Sequence, residues 1–268
     1  MHFVDLSIAL ENDSAWAPFW ARNRVRYQDH RLGRWAIWFL TRLPARLLSG
    51  GLGWANEVLK LSTHGTTHVD APYHYGPTGP NGEPTMTIDQ VPLEWCYGPG
   101  VVLDMTHKGD GEIITGADIR GALVQINHTI QPNDIVLVRT GCDQLLGSRE
   151  YFTKGPGVTR EATEWLLDRG VRVTGIDAWG WDGPLQTQAK RARKANRPGV
   201  FWEAHYLGLE RPYCHLERLA NLHLLPPVGF VVCCFPLKVK GGSAGPVRAV
   251  ALVPEEGETL PLCAPERR

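Results

Sequence analysis

A mixed α/β fold, with a β-sheet or barrel-like sheet flanked by helices, is what three features of this sequence predict. Short apolar runs rich in valine and isoleucine recur at Val101–Met105, Ile135–Thr140 and Val171–Ile176, and again at Phe230–Phe235 and Val247–Leu252. Capped helical patterns stand between some of them, and strands and helices mix without strict repetition. The chain has 268 residues, of which 43% are hydrophobic, enough to bury a sizeable core.

In chain order, residues 2–8 alternate and read as a first strand. Residues 11–24 carry Trp16, Phe19 and Trp20 in a turn-rich stretch, material for packing or for a cap over a pocket. Residues 31–48 separate Trp35, Trp38 and Phe39 from Arg31, Arg34 and Arg42 at helical spacing, which predicts a helix with one buried face that Pro44 ends or kinks. Such a helix suits a lid or a dimer contact. Glu57–Ser62 reads as a strand. Thr115 with Asp118 three residues on is a capping-box start for a helix over Thr115–Ile126, and Thr159 caps another that Gly170 closes. The loop Asp177–Pro184 is rich in tryptophan and acid, and residues 185–200 are polar, basic and linker-like.

Lys plus Arg equals Asp plus Glu at 28 each, so no basic surplus points to a nucleic-acid partner. Trp35–Leu40 is too short an apolar run to span a bilayer, and the first residues lack the charged and apolar blocks of a signal peptide. Six cysteines without a Cys-x-x-Cys pair suggest reduced thiols and a cytoplasmic setting.

The most informative stretch is Ser62–Tyr75, S-T-H-G-T-T-H-V-D-A-P-Y-H-Y. His64, His68, Asp70 and His74 are separated by even offsets, so an extended chain would point all four to one face. A helix would scatter them, and Pro72 argues against one. Nitrogen and oxygen ligands aimed into one space are what a divalent metal requires. Further ligands are on offer in Ala204–Leu222, where His205, Glu210, His215 and Glu217 are equally eligible.

Here the sequence resembles a family. H-G-T-T-H-V-D-A-P-Y-H is similar to the H-x-G-T/A-H-x-D-x-P-x-H signature of the metal-dependent cyclase family, which includes bacterial kynurenine formamidase, isatin hydrolase and aromatic polyketide cyclases. A histidine twelve residues before a glutamate in E-x-L-x-N-L matches His205 and Glu217. The likeness extends to Asp5–Ser7, Asp134–Gly141, Gly175–Ala178 and Cys234–Lys238. It implies a swivelling β/β/α type of fold, a single domain over 1–268, and an oligomer of at least two chains. It also implies that His64 and His68 bind one metal ion and His205 another, with Asp70 and Glu217 bridging and His74 as general acid/base. Some relatives carry one ion, so one or two zinc or manganese ions are expected. Trp16 would line the pocket, with Trp20, Trp179 and Trp181 as further substrate contacts. Segments at about 22–53 and 185–200 are longer than in the formamidases and suggest a different lid and a different small-molecule substrate, aromatic or cyclic.

The expected reaction is metal-assisted hydrolysis of an amide, lactam, lactone or aryl formamide, with His74 moving the proton. The alternatives are aldol-type ring closure of a poly-keto chain on the same site, or a metal-loaded binding protein without turnover. A rival motif, Gly241–Gly245, matches the G-x-S-x-G of serine hydrolases at Ser243. It should precede a helix and a later histidine, but a turn and a strand follow and the last histidine is His223. Cys142 has no base nearby in sequence and reads as a small buried hydrophobe.

Overall fold

A computed structural model describes residues 1–13, 17–255, 257 and 258. The described elements run β1 (His2–Asp5), β2 (Arg24–Gln28), α1 (His30–Thr41), β3 (Asn56–Lys60), β4 (His68–Asp70), α2 (Pro72–Tyr75) and β5 (Tyr97–Asp104). They continue with β6 (Ile113–Ile114), α3 (Gly116–Gln125), β7 (Ile135–Arg139), β8 (Gly157–Val158), α4 (Arg160–Leu167) and β9 (Val173–Ile176). The last are α5 (Leu185–Ala195), α6 (Glu203–Glu210), β10 (Cys214–Glu217), β11 (Phe230–Cys233), β12 (Ala244–Pro246) and β13 (Val250–Val253).

The chain divides into two compact units, one formed by residues 1–9 with 63–268 and the other by residues 10–62. The larger unit holds a mixed nine-stranded sheet in the order β1-β13-β11-β5-β7-β9-β10-β4-β12. β5, β7, β9 and β10 are mutually parallel neighbours, and the other pairings are antiparallel. Consecutive parallel strands need long crossovers, and α3, α4 and the α5–α6 pair provide them. The sheet separates two cores. One gathers Val136, Val138 and Ile176 with Ile119 of α3 and Leu166 of α4. The other holds Val69, Leu137, Val173, Leu216 and Phe230.

Local sequence explains the crossover helices. The Thr115 hydroxyl accepts from Asp118 N–H while the Asp118 carboxylate accepts from Thr115 N–H, the reciprocal box expected. Thr159 Oγ1 accepts from Ala162 N–H at the start of α4. One segment departs from expectation. Residues 185–195, read as a linker, form α5. Its run of glutamine, alanine, lysine and arginine has high helix propensity, and little apolar periodicity accompanies it because Gln188 is its one buried residue.

In the smaller unit β2 pairs antiparallel with β3, and the Asp29 carboxylate caps α1 by accepting from Arg31 and Leu32 N–H, 3.0 Å each. α1 ends at Thr41, ahead of Pro44. The expected buried face is not found, since Gly33 is the only buried residue of the helix and Trp35, Phe39 and Leu40 are exposed.

Candidate metal centre

The centre grows out of one short strand. β4 lies between β10 and β12 at the end of the sheet, and the β4–β10 register sets His215 opposite Asp70 and Glu217 opposite His68. Side chains alternate along a strand, so all four share one face, while Val69 and Leu216 enter the core behind it. The turn before β4 brings up His64, and the turn of helix after it brings up His74. Pro72 opens that helix, where its missing N–H costs nothing. α6 delivers His205. It can approach because residue 208 is glycine; a Cβ there would fall 2.3 Å from the Tyr75 ring.

The two carboxylates each face both ways. Asp70 Oδ1 lies 2.8 Å from His64 Nδ1 and 3.2 Å from His68 Nε2, and His68 Nε2 is 3.8 Å from Glu217 Oε2. On the other side, His205 Nε2 lies 3.9 Å from Asp70 Oδ2 and 3.7 Å from Glu217 Oε1, and His215 Nδ1 is 3.8 Å from Glu217 Oε1. His74 Nε2 is 3.9 Å from Asp70 Oδ2. Surrounding groups hold the rings. His68 Nδ1 bonds the Thr66 carbonyl at 2.7 Å, Asp182 accepts from His205 Nδ1, and His64 Nε2 is 3.0 Å from Ser243 Oγ. Trp181 N–H donates to Glu217 Oε1 at 2.8 Å.

This pocket is short of positive charge. Burial, then the Asp70 charge, pushes the Glu217 carboxyl up to about 8. Burial opposes a charge on His205, but Asp182, Glu217 and Asp70 outweigh it and raise its pKa to about 9. Burial pushes His74 down to about 3, so it is neutral at pH 7. His68 Nε2, both oxygens of Asp70 and His215 Nδ1 are buried without a hydrogen-bond partner among the described residues. Buried polar atoms are rarely left so, and their convergence with mixed nitrogen and oxygen donors fits a divalent cation.

Comparison with known proteins agrees with this geometry. The sequence profile of the cyclase family matches residues 4–183. The chain belongs to the cyclase family. The isatin hydrolase of Roseibium aggregatum is 29% identical over 248 residues, covering 89% of this chain and 85% of that protein. The kynurenine formamidase of Salinibacter ruber is 29% identical over 201 residues, covering 72% and 77%. Isatin hydrolase A from Labrenzia aggregata, solved with benzyl benzoate, superposes with a TM-score of 0.71 at 28% identity over 95% of this chain and 94% of its own. This cyclase-family protein is therefore an enzyme of the hydrolase class.

The six residues named from sequence, His64, His68, Asp70, His74, His205 and Glu217, are brought together. His64, His68, Asp70 and His74 do not share one extended strand face as expected, because β4 holds only His68 and Asp70 and the other two histidines come from turns. Glu210 lies away from the centre in an ion pair with Arg160. The tryptophans divide. Trp181 is fully buried, stacks on His215 and gives its ring N–H to Thr163, so it supports the centre from below instead of facing a substrate. Trp179 is half-buried against the Arg218 guanidinium, 3.9 Å from its ring centre. Trp16 lies outside the described residues, and Trp20 belongs to the smaller unit.

Two participants were not singled out in advance. Asp182 orients His205, and Trp202 stacks on that ring at 4.7 Å with 6° between planes. His215 was left among the eligible ligands without a place. Ser243 lacked the later histidine its motif requires, yet the histidine beside it is the earlier His64. No helix follows it among the described residues, as read, but the expected turn at Gly245 and Pro246 is strand β12 (Ala244–Pro246), and the strand expected over Val247–Leu252 is β13 at Val250–Val253.

Proposed function

We propose that this enzyme hydrolyses an acyl C–N bond to an aromatic nitrogen, in a lactam or an aryl formamide, using a divalent zinc or manganese centre and His74 as proton carrier. Two buried carboxylates flanked by imidazole nitrogens, with both Asp70 oxygens lacking a hydrogen-bond partner among the described residues, are the observation that carries this reading. His64 and His68 would hold a cation on one side of Asp70 and Glu217, and His205 would hold one on the other. A cation there supplies Lewis acidity, which acidifies water and polarises a carbonyl.

The chain's own groups do the rest. His74, neutral and beside Asp70, can take a proton from attacking water and return it to the departing nitrogen. Trp202, half-buried and with its ring centre 5.2 Å from that of His74, offers a flat wall for an aromatic ring. The relatives' names support the bond type, since isatin is a cyclic anilide and formylkynurenine an N-formyl aniline. The five free cysteines among the described residues support a cytoplasmic setting. The exposed Trp35, Phe39 and Leu40 of α1 support a homo-oligomer.

The test uses protein stripped with chelator and reloaded with Zn2+ or Mn2+, offered isatin, formylkynurenine and simple lactones. Metal-restored opening of isatin or deformylation is expected, with lactones slower. His74→Ala should lower turnover by about 10²–10⁴-fold while cation content holds. Absence of chelator-sensitive hydrolysis across the panel would sink the reading and leave ring closure of a poly-keto chain to be tried.

A further inference from the structure

β10 presents three polar side chains in alternation, Tyr213 just before it and then His215 and Glu217, all buried. Their hydrogen bonds fix where one proton must lie. Tyr213 Oη is 2.7 Å from the Ala204 carbonyl oxygen, which can only accept, so the hydroxyl spends its single hydrogen there. The same oxygen is 2.5 Å from His215 Nε2. With no second hydrogen on the phenol, the imidazole is the donor and Nε2 carries the proton. The lone pair of the neutral ring is therefore on Nδ1.

That nitrogen has no hydrogen-bond partner among the described residues, and His215 is fully buried. It faces Glu217 Oε1 across 3.8 Å, too far for a hydrogen bond even if the ring were turned into its other tautomer. His205 is locked in the complementary sense, because its Nδ1 donates to Asp182 and leaves Nε2 toward Asp70 and Glu217. One ligand atom from each of Asp70, His205, His215 and Glu217 lies within 4.8 Å of all the others. Packing alone does not account for His215. Its stacking on Trp181 and edge contact with His205 would be served by a phenylalanine ring. The Tyr213 bond acquires a purpose once the lone pair it exposes is used, as hydrogen bonds behind metal-bound histidines generally do.

We propose that His215, through Nδ1, is a ligand for the cation on the His205 side of the two carboxylates, and that Tyr213 is the positioning residue that sets its tautomer. This rests on the metal-centre reading above. It gives the two sides matching sets, His64 and His68 with one oxygen from each carboxylate, and His205 and His215 with the other.

Cation counting tests it without reference to turnover. Full-length wild type, His215→Phe and Tyr213→Phe are stripped, equilibrated with Zn2+ alone, and measured by elemental analysis and by competition with a chromophoric chelator. Two cations per chain are expected for wild type. His215→Phe should keep one cation at wild-type affinity and bind the other at least ~10–100-fold more weakly, and Tyr213→Phe should weaken that same cation by about 10-fold. Unchanged stoichiometry and affinity in a folded His215→Phe would overturn the proposal, as would a wild type that takes a single cation. A wild type that binds none removes the metal centre itself. ¹⁵N NMR of the histidine rings in wild type needs no variant to fold. A lone-pair Nδ1 resonance of His215 that shifts as the second equivalent of Zn2+ is added supports the ligand role, and one that stays in place at saturation rejects it.

Discussion

Two stretches of the nine-stranded sheet, the middle of β7 and the paired β4 and β10, are similarly buried and do opposite things. In the parallel half, Val136, Leu137 and Val138 of β7 are completely covered and pack into the apolar cores on either face. In the antiparallel β4–β10 pair, His68 and Asp70 of β4 and His215 and Glu217 of β10 are nearly as inaccessible, yet four of their polar atoms have no hydrogen-bond partner among the described residues. Burial of apolar surface stabilises at roughly 25 cal/mol per Å². Burial of unpartnered polar groups costs about 1–3 kcal/mol each. One stretch of the sheet thus holds the fold, and the other stores an affinity for positive charge that the fold must sustain.

The sharpest way to break this contrast is to exchange the readouts. Leu137→Ala should cost about 2–5 kcal/mol of stability in chelator-treated protein, because a cavity opens in a core that cannot collapse. Its cation content should be unaltered once folded. Asp70→Ala removes the carboxylate shared by both sides, so bound Zn2+ and chelator-sensitive hydrolysis should fall to background while the metal-free melting temperature moves far less. Calorimetry and elemental analysis on the two variants decide the matter. If Asp70→Ala unfolds the chain and keeps its cation, the division of labour is wrong.

The stable half was the easier to read. Its strands are apolar runs and its helices carry their caps in the sequence, so β7, β9, α3 and α4 fall where valine runs and Thr115, Asp118 and Thr159 put them. α5 escaped because a helix with one buried residue has no apolar stripe to announce it. The site was legible in its residues and less so in its geometry. Even spacing correctly joins His68 to Asp70, but the same rule carried to His64 and His74 ran past the ends of a three-residue strand. Applied to Cys214–Glu217, it would have paired His215 with Glu217. The distinction between His215 and the remote Glu210 needed the β4–β10 register, which no local pattern contains. Ser243 was set aside because no helical pattern follows it and no histidine comes later in the chain, although spatial proximity to a histidine does not depend on that order.

pH sharpens the contrast next. In metal-free protein Glu217 keeps its proton up to about pH 8 and His205 up to about pH 9, both above their unfolded values. Groups with raised native pKa values favour the folded state at low pH and lose that contribution as pH rises. Metal-free stability should therefore fall between pH 6.5 and 9, by at most about 1.4 kcal/mol per pH unit for each group. Asp177, pushed up to about 6 by burial, adds its own decline only below that window. Zn2+ displaces the same protons, so its affinity should grow over the same range. Melting temperatures with chelator and with Zn2+ should diverge as pH increases. Parallel curves, or metal-free protein that is more stable at pH 9 than at pH 6.5, would show that the antiparallel end does not recruit protons in place of a cation.

The smallest expected effect tests whether Ser243 belongs to the centre as a support or as a nucleophile. Ser243, His64 and Asp70 lie in line, with 3.0 Å from Oγ to Nε2 and 2.8 Å from Nδ1 to Oδ1. The two roles demand opposite tautomers of His64. A nucleophilic serine would give its hydrogen to Nε2 while Nδ1–H points at Asp70, as in a hydrolase triad. A supporting serine accepts from Nε2–H and leaves the Nδ1 lone pair for a cation. His64, Asp70 and His74 offer donor atoms close enough together to hold one cation, which favours the second arrangement. Ser243→Ala should therefore keep most of its hydrolytic activity, with cation affinity on the His64 side lowered by no more than about 10-fold. Excess Zn2+ should recover much of the loss. A Ser243→Ala protein that holds its full complement of Zn2+ and has lost hydrolysis altogether would make Ser243 the nucleophile and reduce the buried carboxylates to its support.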